Sequence, residues 1–182
     1  MPTLSIQHTG IETIPSGDDL KLALIRAAFT LCEGTPRLPD CRVLAYRDTL
    51  PLGLVGSFVP VLGRDSSIHV GILSDACSCD ILAWLIDSEV TRSDFATRSA
   101  ISALAQRLAR GISRASGALT VGNAVFVDGI ARRTRTDCVR AVEVVFGTTR
   151  ATLVVTGPEA LVQSDWPGMD RMARQRVEKE RP

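Results

Sequence analysis

The hydrophobic period of this chain changes twice, and no other feature constrains its fold as tightly. CRVLAY (41–46), LGLVGSFVPVLG (52–63) and SIHVGILSD (67–75) are rich in β-branched residues and read as strands. LTVGNAVFVDG (119–129), CVRAVEVVFG (138–147) and RATLVVTG (150–157) read the same way. Between the two blocks, ACSCDILAWLID and the stretch from Ser93 to about Ala115 switch to the three-to-four spacing of a helix with one buried stripe. Strands flanking a helical pair predict an α+β layer, one sheet of about six strands with the two middle helices packed together on one face.

A further helix is expected from Ser16 to Glu33. Ser16, Asp18 or Asp19 can cap it; Leu20, Leu24, Ala27, Ala28 and Leu31 share one side, and Gly34 stops it. Gly63-Arg64-Asp65 and Gly147-Thr148-Thr149 mark hairpin turns, and Pro60 favours an edge position or a bulge. In the short middle helix Ser74 is the expected cap, Ile81, Leu82 and Leu85 point inward, and Trp84 belongs to the core. CVRAVEVVF offers an apolar strand edge, through which a homodimer is expected. The chain of 182 residues suits one domain, 18–157, between an N-terminal arm, 1–17, and a polar C-terminal tail, 158–182, in which Trp166 packs the tail down.

Charge and composition exclude several function classes. A formal net charge of +1 does not suggest a nucleic-acid partner. No apolar run approaches the ~20 residues that span a bilayer, and MPTLSIQHTGIETIPSG lacks the basic and apolar regions of a signal peptide. A cytoplasmic protein is therefore expected, with its five cysteines reduced. Cys77 and Cys79 stand too close for the usual zinc spacing. Of the two histidines, His8 lies in the arm, and His69 should face away from Ile68 and Val70. Neither has a metal-ligand or triad partner at useful spacing, the glycines form no phosphate-cradling loop, and Arg132, Arg133 and Arg135 read as a solvated loop. No cofactor or metal is expected.

The long helix contains SAISALAQRLARG (99–111). Ile101, Leu104 and Leu108 form its buried stripe, which leaves Ser99, Ala103, Gln106 and Arg110 on the opposite side, small or polar and without a carboxylate.

From about Asp18 to Gly157 the order of elements resembles the CheC/CheX/FliY family of chemotaxis phosphatases. The resemblance rests on the N-terminal helix, the pair GLVGSFVPVLG and SIHVGILSD, the short helix, SAISALAQRLARG and the strand LTVGNAVFVDG. In that family the long helix carries a Ser-Ala-Leu-x-Glu-x-x-Asn-like signature with a glycine four residues after the Asn. Aligned on Ser99-Ala100-Ile101, Ala103 takes the glutamate position, Gln106 the asparagine position and Arg110 the glycine position. A shift by one restores Gly111 but puts Leu104 and Arg107 at the two catalytic positions, so the first register is preferred.

By resemblance, such proteins remove the aspartyl phosphate of a response regulator; the amide orients the attacking water and the acid positions the regulator's groups. Gln106 keeps an amide, whereas the Ala103 methyl can neither accept a proton nor pair with a lysine. The resemblance thus implies a CheX-like signalling domain that binds a response regulator, or another motility or secretion component, through Ser99, Ala103, Gln106 and Arg110, without efficient phosphatase activity. An active phosphatase using Gln106, with Asp94 as the acid near the helix start, is one alternative. A small α+β metabolic or ligand-binding protein is another; its hotdog-thioesterase form would want an acidic residue on the central helix.

Overall fold

The computed structural model describes residues 18–49, 52–63, 67–87, 94–115, 120–128 and 139–157. In chain order these form α1 (Asp18–Glu33), β1 (Cys41–Arg47), β2 (Val55–Leu62), β3 (Ser67–Ser74), α2 (Ala76–Ile86) and α3 (Asp94–Ala115). Then come β4 (Thr120–Val121), β5 (Val125–Val127), β6 (Val139–Phe146) and β7 (Thr149–Thr156). The strands make one sheet in the order β1-β6-β7-β3-β2-β4, and β5 pairs the same side of β2 as β4. Every pairing is antiparallel. The α+β architecture is as expected, with seven strands in place of about six.

The additional strand has a local cause. Residues 119–129 were expected as one strand, but β4 pairs Val61 and Leu62 whereas β5 pairs Gly56 to Phe58. Pro60 lies between these two contacts and has no N–H to donate. Its carbonyl accepts the Gly122 N–H at 2.8 Å, and the neighbouring chain breaks from strand pairing over 122–124. A Cβ on Gly122 would come within 2.7 Å of the Pro60 ring, so glycine suits this crossing point. Pro60 is therefore interior to the sheet, and the interruption falls on its neighbour.

Alternation along the strands sorts the sheet into two faces. Val59, Val61, Ile68, Val70, Ile72, Val142, Val144, Phe146, Leu153 and Val155 meet α1, α2 and α3 in one core. All three helices thus lie on this helix face. Phe58, Leu73, Val127, Val139, Ala141 and Val154 form a separate buried cluster on the second face. There the Phe58 ring covers Gly71, its partner across β2 and β3.

Three expectations are corrected. Trp84 is 56% exposed and Ile81 48% exposed, while Cys79, Leu82 and Ala83 are buried. ACSCDILAWLI carries more apolar residues than one helix face can bury, so its period does not select the covered side. Asp75, rather than Ser74, caps α2: its carboxylate accepts the Ser78 N–H at 2.9 Å, while Ser74 ends β3 and is buried. Finally, β6 is not an edge, because β1 pairs its free side from Cys41 to Arg47. The homodimer expected through CVRAVEVVF loses that basis; β1 is the edge on this side of the sheet, and a register irregularity between Val43 and Ala45 interrupts it. The turn at Arg64-Asp65, Trp166, the arm and the tail lie outside the described residues.

Candidate functional site on helix α3

The inner side of α3 is settled by packing. Ile101, Leu104, Ala105, Leu108, Ala109 and Ile112 are buried in the helix-face core. Gly111 lets α1 approach closely, since a Cβ there would stand 3.1 Å from the Ala27 Cβ. The sheet, α1 and α2 therefore take three sides of the helix and leave one side outward.

Polar residues at the borders of that outward side are tied to neighbours. Thr97 Oγ1 donates to Asp80 Oδ1 at 3.1 Å, joining α3 to α2. Arg98 pairs with Asp128 at 2.8 Å and lies over the Phe126 ring, 5.1 Å from its centroid. The hydroxyls of Ser102 and Ser57 share a hydrogen bond of 2.7 Å. Arg107 Nη1 donates to the buried Thr35 hydroxyl at 2.9 Å.

Ser99, Ala103 and Arg110 are exposed and Gln106 is partly exposed. Among the described residues, no side-chain hydrogen bond or ion pair holds any of the four. In the preferred register both motif positions thus face solvent, whereas the shifted register would use Leu104, which is buried. Asp94 is the first residue of α3, and its side chain lies outside the described residues.

Phe95 was missed from sequence. It is 82% exposed and stands four residues before Ser99, so the two are neighbours on the helix surface. The signal was present in the extension of the Ser99 stripe by one turn toward the N-terminus. The Ser57–Ser102 pair was also missed, although each serine interrupts an apolar pattern.

The chemistry available on this surface is narrow: an aromatic ring, a hydroxyl, a methyl, an amide and a guanidinium. Among the described residues the Ser99 hydroxyl has no histidine beside it, because His69 alternates with Ile68 and Val70 and so belongs to the second face of the sheet. Among the described residues no three of His, Cys, Asp and Glu converge as a metal site. Cys32, Cys41, Cys77 and Cys79 are free thiols, and Cys138 lies outside the described residues. Burial pushes the Cys41 thiol up to about 12, helped by Cys32, and Cys79 up to about 11. Both remain thiols near neutral pH and are poor nucleophiles there. No helix among the described residues is long and apolar enough to cross a membrane.

No protein-family model matches this sequence, and no curated protein does. Solved structures do match. The chemotaxis protein CheX from Desulfovibrio desulfuricans superposes with a TM-score of 0.58 at 10% identity, over 76% of this chain and 99% of that one. CheX in a complex with CheY, beryllium fluoride and magnesium, from Borrelia burgdorferi, gives 0.58 at 12% identity, over 75% and 96%. The FliM middle domain from H. pylori gives 0.50 at 7% identity, over 79% and 93%. At these identities the likeness is one of fold, and the chain has the fold of the CheC/CheX/FliY fold family.

Proposed function

We propose that this chain is a CheX-like signalling domain that docks a response regulator on the outward side of α3 and has little or no phosphatase activity. One observation carries the reading: the polar residues bordering that side are bonded within the molecule, while Ser99, Gln106 and Arg110 are left available. Phe95 adds an exposed aromatic ring of the kind that anchors protein interfaces. The complex of a similarly folded CheX with CheY supports a regulator as the partner class. The FliM likeness makes a motility component the next partner to try. Ala103 supplies no carboxylate at the position where the family motif pairs an acid with the amide.

The test is a titration of response regulators from the same genome, with and without beryllium fluoride, followed by phosphate-loss measurements. Saturable binding with no acceleration of phosphate loss is the expected result. Accelerated loss would instead support the second reading, an active phosphatase, which the outward Gln106 amide favours. Failure of every regulator and motility component to bind would remove the first reading. Self-association through a sheet edge would use β1 or the opposite edge formed by β4 and β5, and light scattering over a range of concentrations reports it as a concentration-dependent mass.

A further inference from the structure

The outer side of α2 is apolar where a surface helix is ordinarily polar. Trp84 is 56% exposed and Ile81 48% exposed. Cys77, four residues before Ile81, is exposed as well. Positions 77, 81 and 84 share one stripe, about 10 Å long at the rise of a helix. Cys79, Leu82 and Ala83 fix the other side in the core, so the helix cannot turn the stripe inward. We propose that this stripe docks a basic amphipathic helix of a partner protein, with its apolar side on Ile81 and Trp84 and a Lys or Arg at the C-terminal end of α2.

Charge selects the sign of the partner. The helix and its two caps carry Asp75, Asp80 and Asp87 and no Lys or Arg. Asp80 is exposed beside the stripe, four residues before Trp84 and three after Cys77. It accepts the Thr97 hydroxyl, and no ion pair among the described residues reaches Asp75 or Asp80. The last turn of α2 has no basic residue to offset the negative end of the helix dipole, and Trp84 stands in that turn. An exposed indole face, a helix C-terminus and a nearby carboxylate each attract a cation, and here they coincide.

The stripe also selects a helical partner. Side chains cover the surface of a helix, which offers no row of backbone donors and acceptors to an extended peptide. A strand laid there would leave its own N–H and C=O groups unpaired, whereas a helix satisfies them internally. Ile81 and Trp84 form a ridge of the kind that fits between the side chains of a second helix. The surface is distinct from the one proposed for a regulator. Thr97 faces α2, and Phe95, two residues earlier, lies roughly 160° around α3 from it. Failure of a regulator to bind α3 would therefore leave this inference standing.

The test uses the full chain carrying Trp166→Phe, in which Trp84 is the single tryptophan. The probe is an amphipathic helix of about eighteen leucine and lysine residues, long enough to form in water when bound. A leucine–glutamate peptide of the same pattern is the control. Saturable binding of the lysine peptide with a blue shift of Trp84 emission is expected, at least tenfold tighter than the control. In calorimetric titrations Trp84→Ala and Ile81→Ser should each weaken it about tenfold. Asp80→Asn, which keeps an acceptor for Thr97, should weaken it about threefold at low salt. Phe95→Ala should leave it unchanged. Equal affinity for the two peptides, or an affinity that neither Trp84→Ala nor Ile81→Ser reduces, would overturn the inference. So would a dimer in light scattering that Ile81→Asp dissolves, because the stripe would then join two copies. Nuclear Overhauser contacts from the Trp84 ring across to another segment of this chain would overturn it too, since the stripe would already be covered.

Discussion

At the scale of single residues, the docking proposed for the outward side of α3 would rest on shape more than on reactivity. Ala103 allows a partner's surface to approach the helix, so Ala103→Arg should weaken regulator binding by about 1–3 kcal/mol through steric and desolvation cost. Phe95→Ala should weaken it comparably. Gln106→Ala should leave any phosphatase rate within a few-fold; a loss of about a hundredfold would mean that the amide positions the attacking water. Binding isotherms and regulator phosphate loss, measured side by side, separate the two outcomes. A different kind of constraint acts at Gly71, where a Cβ would lie 2.7 Å from the Phe58 ring. Gly71→Ala should cost about 1–3 kcal/mol, because the ring must leave its rotamer in a packed cluster. Chemical denaturation measures this, and a neutral result would mean that the ring has room to move.

At the scale of elements, α2 depends on its start. The Asp75 carboxylate accepts the Ser78 hydroxyl at 2.6 Å and the Ser78 N–H at 2.9 Å, which holds it below the ordinary value of 3.8. A carboxyl lowered on folding stabilises the fold above its unfolded pKa, and that contribution fades as pH falls below 3.8 toward the folded value. Asp75→Ala should cost about 1 kcal/mol near neutral pH and much less in acid, whereas Asp75→Asn should keep most of the cap. Denaturation midpoints of the three proteins at two pH values check it. The cap was assigned one residue early from sequence because Ser74 and Asp75 are both good capping types, and the end of β3 decides between them. In α3 the buried and outward sides were legible, since Ile101, Leu104 and Leu108 repeat at helical spacing among polar residues. In α2 they were not, because a helix apolar on most sides gives no contrast.

At the scale of the whole molecule, the seven-stranded sheet and the three helices packed on it all lie between residues 18 and 157, the span we propose as one domain. That span should unfold cooperatively without the arm and tail, with a midpoint close to that of the full chain. Calorimetry of the two proteins is the measurement; a broad or much lower transition would show that residues 1–17 or 158–182 are part of the core. Partner surfaces are also decided at this scale. β6 reads as a free apolar edge in sequence, and β1, almost a hundred residues earlier, covers it.

The alternation of side chains every two residues, and their return every three to four, follows from backbone geometry alone. The sequence by itself therefore determined the element types, their order, the α+β class and the sides of α1 and α3 that turn inward. Which strand neighbours which, whether Trp84 and Phe95 are covered, and how Pro60 divides a strand into β4 and β5 depend on contacts between residues far apart in the chain. Only the tertiary structure decided these, because periodicity states that a face must be buried without naming what buries it.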